Sequence, residues 1–338
     1  MAGMNKLALV VVIVLALVSN TLAVEVTSLP RCQIVPLPNQ EVSLQIDGVE
    51  RTRWHCGAKY SRPFFFPFNG PSGSSLTRMG HPGAAHHDHH RSVWFAHHDV
   101  NGKDFWSDQP GLRIAQQEWL AYYDSDDEAR LAVKLNWIDE SDQVQLQQQM
   151  VAALIPGRAG QWSVEIQTTL KPPTDKLTTM LNKTNYGLLA VRVAKSISEH
   201  FGGGVLTNSH GAQHEAEVFG KSAAWVDYSG PVANGVGPNR TTVVEGITYF
   251  DHPSNPNYPA KWHVREDGWM GASLCIDEGI EITHKKPLTL RYLLAVHRGA
   301  IDSQHADEQA TAFAKRPGFK VQKSTKKHQE YEVLRVEP

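Results

Sequence analysis

The stretch Arg130-Leu-Ala-Val-Lys-Leu-Asn-Trp137 changes character at almost every step: Leu131, Val133, Leu135 and Trp137 alternate with Arg130, Lys134 and Asn136. A period of two puts the apolar set on one face of an extended chain and predicts a half-buried strand. The pattern returns twice, each time after a turn. Past Asp139-Glu-Ser-Asp142, Val144, Leu146 and Met150 oppose Gln143, Gln145, Gln147 and Gln149. Past Pro156-Gly-Arg-Ala-Gly160, Trp162, Val164, Ile166 and Leu170 oppose Gln161, Ser163, Glu165 and Gln167. Alternating runs joined by short Gly, Asp and Ser turns predict an antiparallel meander.

Working outward, residues 186–194, 241–250 and 288–297 read as further strands, with Arg192 on the face opposite Leu189, Val191 and Val193. The one good helical stretch is 302–315, where Ala306, Ala310 and Phe313 fall on one side and Pro317 ends the run. Gly202-Gly-Gly204 reads as a flexible loop, because no strand-to-helix context makes it a phosphate cradle. Without a βαβ rhythm, Rossmann and TIM architectures are excluded. The expectation is an all-β protein, a large antiparallel β-sandwich with few short helices, as a single domain over residues 24–338.

The 338 residues carry 33 Lys plus Arg against 35 Asp plus Glu, a formal net charge of −2, so no global basic footprint for nucleic acid exists. Lys6 precedes an apolar run from Leu7 to Val18 and a small-residue stretch ending at Ala23. This predicts a signal peptide over 1–23, a secreted or periplasmic product, and no stable membrane insertion after cleavage. Of the three cysteines, Cys32 and Cys56 are the expected disulfide pair, with Cys275 left over.

Seven of the 17 histidines lie between His81 and His98, in a segment that begins as a loop and is expected to become a strand near Arg91. On an extended backbone His87, His89 and Arg91 share a face, as do Arg91, Val93, Phe95, His97 and Asp99. One reading is a divalent metal, Zn²⁺ or Mn²⁺, held by His87, His89 and His97. The other is imidazole acid–base chemistry beside Arg91 as a clamp for an anion or hydroxyl. A second constellation gathers His252, Trp262, His263 and Arg265 near Tyr249, Phe250 and Tyr258. Aromatic faces beside Arg, His and Asn suit a sugar ring, whose CH faces stack while its hydroxyls bond. No Gly-x-Ser-x-Gly, Cys-x-x-Cys, His-Glu-x-x-His or Walker motif occurs, so those templates and a nucleotide cofactor lack their signatures.

Several motifs together resemble the DUF6807 family, which also carries the label "methane oxygenase-like": Pro67-Phe-Asn-Gly-Pro-Ser-Gly73, His89-His-Arg-Ser-Val-Trp-Phe-Ala-His97, Asp99-Val-Asn-Gly102, Asp104-Phe-Trp106, Gly187-Leu-Leu-Ala-Val-Arg192, Trp262-His-Val-Arg265 and Leu290-Arg-Tyr292 with His297. A membrane oxygenase subunit needs several spanning helices, and this chain has only the removable leader. The resemblance implies an exported bacterial protein with a galactose mutarotase-like supersandwich, found with carbohydrate-degrading systems. It places family histidines on His87, His89, His90, His97, His252, His263 and His297, and arginines on Arg91, Arg192 and Arg265. The chain departs from the family at Asp88, where Pro is expected, and at His98, where Gly is expected.

The function expected from these readings is an exported carbohydrate-active enzyme, of hydrolase or lyase type, acting on a glycoside or oxidised sugar. His87, His90, His97 and His263 are its expected catalytic set. Arg91, Asp99, Asn101, Trp106, Arg192, His252, Trp262, Arg265 and His297 are expected to bind the substrate. The alternative is a non-catalytic carbohydrate-binding envelope protein using the same face.

Overall fold

The computed structural model describes residues 28–81 and 83–336. The signal-peptide reading of residues 1–23 lies outside them. Five strands come first: β1 (Cys32–Leu37), β2 (Glu41–Ile46), β3 (Val49–His55), β4 (Phe64–Phe68) and β5 (Val93–His97). The meander that opened the sequence reading follows as β6 (Arg113–Tyr123), β7 (Ala129–Ile138), β8 (Val144–Pro156) and β9 (Trp162–Lys171). Next come β10 (Thr178–Leu181), β11 (Gly187–Arg192), helix α1 (Glu199–Gly202), β12 (Val205–Asn208), α2 (His214–Val218), β13 (Trp225–Asn234) and β14 (Thr241–Asp251). The chain ends with β15 (Trp262–Arg265), β16 (Trp269–Ala272), β17 (Ile280–Thr283), β18 (Leu288–Arg298), α3 (Ser303–Lys315), β19 (Gly318–Lys323) and β20 (Tyr331–Val336).

Two eight-stranded antiparallel sheets form the sandwich, in the orders β1-β2-β3-β4-β5-β11-β16-β15 and β12-β13-β14-β18-β9-β8-β7-β6. Aromatic contacts join their facing sides: Phe68 meets Trp162 at 5.1 Å, Phe95 meets Trp137 at 6.3 Å and Tyr249 meets Trp262 at 4.8 Å between ring centroids. Leu131, Val133, Leu135 and Trp137 are buried as their alternation predicts. Gln148 shares their side of the sandwich and is satisfied there, accepting from Trp137 Nε1 at 2.9 Å and donating to Thr168 Oγ1 at 3.0 Å. No helix among the described residues is long and apolar enough to cross a membrane.

The outer side of the second sheet is also covered in part. Helix α3 packs Ala306 and Phe313 onto Trp225, Phe250, Leu293 and Ala295, with Asp302 capping its first turn by accepting from His305 N at 3.1 Å. The β19–β20 hairpin lays Phe319 and Val333 on Ala132, Val151 and Ala153. Where α3 ends and the hairpin begins, fully buried Glu165 is shared by Arg291 (2.6 Å), Arg335 (2.9 Å) and Arg316 (3.3 Å).

Three sequence expectations are corrected. Cys32 and Cys56 are both free thiols. Cys32 pairs with Ile46 at one end of the β1–β2 ladder, while Cys56 bonds to Gln40 at the other. Six residues of strand, roughly 20 Å, separate those ends, far beyond disulfide reach. Gly202-Gly-Gly204 is a close-packed helix end, not a loose loop: Gly203 takes the left-handed cap at φ 73°, and a Cβ on Gly204 would stand 1.7 Å from Ile197 O. The histidine segment is not extended at His87 and His89, because residues Ala85–His87 form a 3₁₀ turn and the strand begins only at Val93.

Glu165→Ala should lower unfolding free energy in urea by about 3–5 kcal/mol, because Arg291 would remain buried without its carboxylate. An effect below about 1 kcal/mol would show the cluster to be worth no more than a surface pair.

Candidate functional site

The register of the first sheet decides which side chains meet on its outer face. Trp94 on β5 pairs with Ala190 on β11, Ala190 with Gly271 on β16, and Gly271 with His263 on β15. One step along, Arg192 pairs with Trp269, and Trp269 with Arg265. Paired residues share a face, so Trp94, Arg192, Trp269, His263 and Arg265 stand together, with small Ala190 and Gly271 leaving space between them. Above this floor lies a cavity of about 420 Å³. His86, His87, His89 and His90 close one side, and Trp106, Tyr186 and His98 another.

The histidine segment reaches the cavity as an excursion whose two ends are clamped together. Ser92 N donates to Arg78 O at 3.0 Å and Gly80 N to His90 O at 2.7 Å, while His87 N to Ala84 O (2.9 Å) and His90 N to His87 O (3.0 Å) form the tight turns between. The imidazoles crowd as a result: His86 and His87 are 4.1 Å apart, His89 and His90 4.4 Å, and His87 and His90 5.0 Å between centroids. His90 also stacks on Trp94 at 5.4 Å and Trp269 at 5.5 Å. Fully buried Arg62 props the facing wall, donating to the carbonyls of Phe105, Trp106 and His89.

Burial and neighbouring cations favour the neutral form of His87, His89, His90 and His263. Burial, then the Arg62 charge, lowers His89 to about 4. Burial, then Arg265, lowers His263 to about 4. His90 is pushed down further, by burial and then Arg192. His87 is lowered by burial and then His86. His263 Nδ1 lies 2.9 Å from Asn185 O, a contact that a neutral ring makes by donating N–H, which leaves the lone pair on Nε2. Nδ1 of His87 and of His90, and Nε1 of Trp94 and Trp269, are buried without hydrogen-bond partners. Asp267 holds Arg192 in a two-point pair (2.7 and 2.8 Å) and bonds His81 Nε2 at 2.9 Å. Burial alone would raise its carboxyl, but the Arg192 bonds and charge outweigh this and lower it.

Of the expected site residues, His87, His89, His90, His263, Trp106, Arg192 and Arg265 meet at this cavity. Seven others do not. His97 points into the sandwich, because strand alternation turns it away from Trp94 and His98; its Nε2 lies 3.0 Å from Asn182 O. The metal set His87, His89 and His97 is therefore not brought together. Among the described residues no group of three or more His, Cys, Asp or Glu side chains is disposed to hold a metal. Arg91 is tied to Asp108. Asp99 accepts from Gly102 N at 2.8 Å and Asn182 Nδ2 at 2.9 Å, and Asn101 accepts from Met180 N at 2.8 Å, so both shape turns. Trp262 is core, donating to Ala223 O. His297 on β18 and His252, just past the end of β14, lie with the second sheet, bonded to Asp227 (2.8 Å) and Arg291 (3.0 Å). His86, His98, Ser107, Tyr186, Asp267 and Trp269 line the cavity without having been singled out. The alternation of His263 and Arg265 carried past the Asp267-Gly268 turn would have found Trp269.

With this geometry established, the chain can be set beside known proteins. The sequence profile of a family of unknown function (DUF6807) matches residues 41–311. The chain belongs to the DUF6807 family. The match takes in β2 to β18, and so every strand of the cavity floor, and stops before the β19–β20 hairpin. Among solved structures, a GalM/aldose epimerase homologue from C. elegans is similar with a TM-score of 0.33 and 8% identity, covering 80% of this chain and 99% of that one. No curated protein matches this DUF6807 chain.

The buried histidines give the protein a definite acid response. His97 and His263 are lowered to about 4 in the folded protein against an ordinary 6.5. The unfolded chain therefore binds more protons between those values, and stability present above pH 6.5 is lost as pH falls toward 4. Each of the two should cost about 2 kcal/mol by pH 5. His297 works the other way: burial lowers it but Asp227 raises it above its ordinary value, so its contribution holds below pH 6.5 and fades as pH rises through the folded value. Thermal melts should show a midpoint several degrees lower at pH 5 than at pH 7; a flat or rising midpoint toward pH 5 would contradict the neutral, buried imidazoles.

Proposed function

We propose that this protein is an exported carbohydrate-active enzyme whose substrate sits in the histidine-walled cavity. One observation carries the reading: the neutral imidazoles of His87, His89, His90 and His263 and the Trp106 and Trp269 rings surround one space of about 420 Å³. Indole faces offer stacking surfaces to the CH faces of a pyranose, and neutral imidazoles both donate to and accept from hydroxyls. The Leu7–Val18 leader supports export.

His263 is the general base in this reading, because the Asn185 contact fixes its tautomer with Nε2 able to take a proton. His90 lies across Trp269 from it and, as a neutral ring, hydrogen-bonds the departing or rearranging oxygen, while the proton taken by His263 is the one delivered back to that oxygen. Arg192, set by Asp267, and Arg265, held by Glu215 at 2.8 Å, position hydroxyls or a carboxylate. The reaction is cleavage or rearrangement of a glycoside or oxidised sugar.

A divalent metal, Zn²⁺ or Mn²⁺, is a second reading, favoured by the unpartnered buried Nδ1 atoms of His87 and His90. Elemental analysis of tagless protein tests it: a near-stoichiometric ion that is lost in His90→Ala supports it, and metal-free protein that gains no activity on ion addition removes it.

The enzyme reading is tested by incubating the protein with a panel of methyl hexosides, hexuronides and free aldoses and following products by NMR. His263→Ala and His90→Ala should each reduce turnover at least ~100-fold with unchanged circular dichroism, and Trp106→Ala should weaken binding about tenfold. Wild-type turnover in both histidine variants would overturn the assignment. Saturable quenching of tryptophan fluorescence by a sugar, with no product formed, would instead favour a binding protein.

A further inference from the structure

The charge of this protein is unevenly spread. Between Lys315 and Lys327 the chain has six Lys or Arg residues and no Asp or Glu, in a molecule of net charge −2; Arg316, Lys323 and Lys326 pair with Glu165, Glu330 and Glu332, and Lys320 lines the groove described next. Much of this run is the β19 strand, which the β19–β20 hairpin holds against the outer face of the second sheet. Beside it opens a groove of about 350 Å³, on the opposite sheet from the histidine cavity, whose lining includes Lys134, Lys171, Lys320, Gln147, Gln149 and Thr169.

The ladder registers set these side chains in rows across the strands. Asn136, Gln147 and Lys171 form one row, and Lys134, Gln149, Thr169 and Thr289 the next. Neighbours in a row stand about 4.8 Å apart and the rows roughly 6.7 Å apart. No acidic side chain lines the groove. Lys134 lies 3.1 Å from Glu118, whereas Lys171 and Lys320 have no ion pair among the described residues. The side-chain amides of Gln147 and Gln149 likewise make no hydrogen bond to another described residue, and Asn136 Oδ1 is buried without a partner.

We propose that this face is a second binding site, for an acidic polysaccharide chain. Ammonium groups pair with carboxylates spaced along such a polymer, while the amide and hydroxyl rows exchange hydrogen bonds with its ring hydroxyls. A step of one strand per sugar unit lets the rows follow the polymer across the sheet. The chemistry favours this occupant over other polyanions. Single-stranded nucleic acid is gripped by stacking on exposed aromatic rings, and Phe319, the groove's aromatic residue, is buried. A membrane surface needs apolar residues to insert, and the groove presents amides and lysines instead. The site stands independently of the cavity, and its loss would leave the cavity reading untouched.

The test is affinity electrophoresis of the full chain in gels containing polygalacturonate, with dextran as the neutral polymer and single-stranded DNA and phosphatidylserine vesicles as competing polyanions. Polygalacturonate should retard the wild type, and raising salt to about 0.3 M should weaken the effect. The double variant Lys171→Glu/Lys320→Glu should bind at least tenfold more weakly, Lys171→Gln/Lys320→Gln should fall between, and His263→Ala should bind as the wild type does. Equal retardation of the charge-reversed variant, equal retardation by dextran, or capture by DNA or vesicles without polygalacturonate binding would overturn the proposal.

Discussion

The structure depends on two antiparallel sheets burying their facing sides against each other. Once Trp137, Trp162 and Tyr249 of one sheet meet Phe95, Phe68 and Trp262 of the other, the alternation of every strand through that layer is fixed. A one-residue slip in β5 would exchange Phe95 and His97 for Trp94 and His98, losing the core contact and the cavity floor together. Packing of the core therefore selects which functional groups face the cavity, and Trp106 and Trp269 belong to both.

This explains the division among the histidines. His90 and His263 flank Trp269 on the open side of the first sheet, while His97, two residues from Phe95, is fully buried. Gly187 is needed opposite it, since a Cβ there would stand 2.3 Å from His97 Nδ1. His87, His89, His90 and His263 are held neutral for two reasons that act together. Burial disfavours the charged ring, and Arg62, Arg192 and Arg265 stand close enough to repel a further positive charge. Those arginines are spent largely on structure, Arg62 on three carbonyls and Arg192 on Asp267, which gives the cavity a rigid, cationic frame around uncharged hydrogen-bonding groups.

The outer faces of the two sheets have different fates. On the first, the clamped loop from Arg78 to Ser92 rises beside Trp94 and Trp269 and forms one wall of a pocket. On the second, α3 and the β19–β20 hairpin cover the apolar patches, and the Glu165 cluster of arginines locks the joint between them. What the hairpin leaves open is a polar, basic strip. The histidine cavity and the basic groove therefore lie on opposite sheets, so the two proposed sites can be tested separately.

By itself the sequence determined the all-β class, the β7–β9 meander, strands β11, β14 and β18, and helix α3, because each has a period that local geometry enforces. It also put Arg192 on the face opposite Leu189 and Val191, since alternation alone decides this. Among the opening strands, β5 followed from the spacing of Val93, Phe95 and His97, and β2, Glu-Val-Ser-Leu-Gln-Ile, alternates at every step, whereas β4, Phe-Phe-Phe-Pro-Phe, has no alternation to read. The site was legible as a composition and not as a constellation. Seven expected residues fell elsewhere because proximity in a sandwich comes from register between strands distant in sequence. Trp94, Ala190, Gly271 and His263 lie side by side only once β5, β11, β16 and β15 have paired. Strand alternation already parts His97 from His98, but nothing within the histidine segment disclosed that its first half would turn as a 3₁₀ helix or that the face carrying His97 would be the buried one. That was decided by hydrogen bonds from Gly80 and Ser92 across the loop and by the tertiary need to bury Phe95.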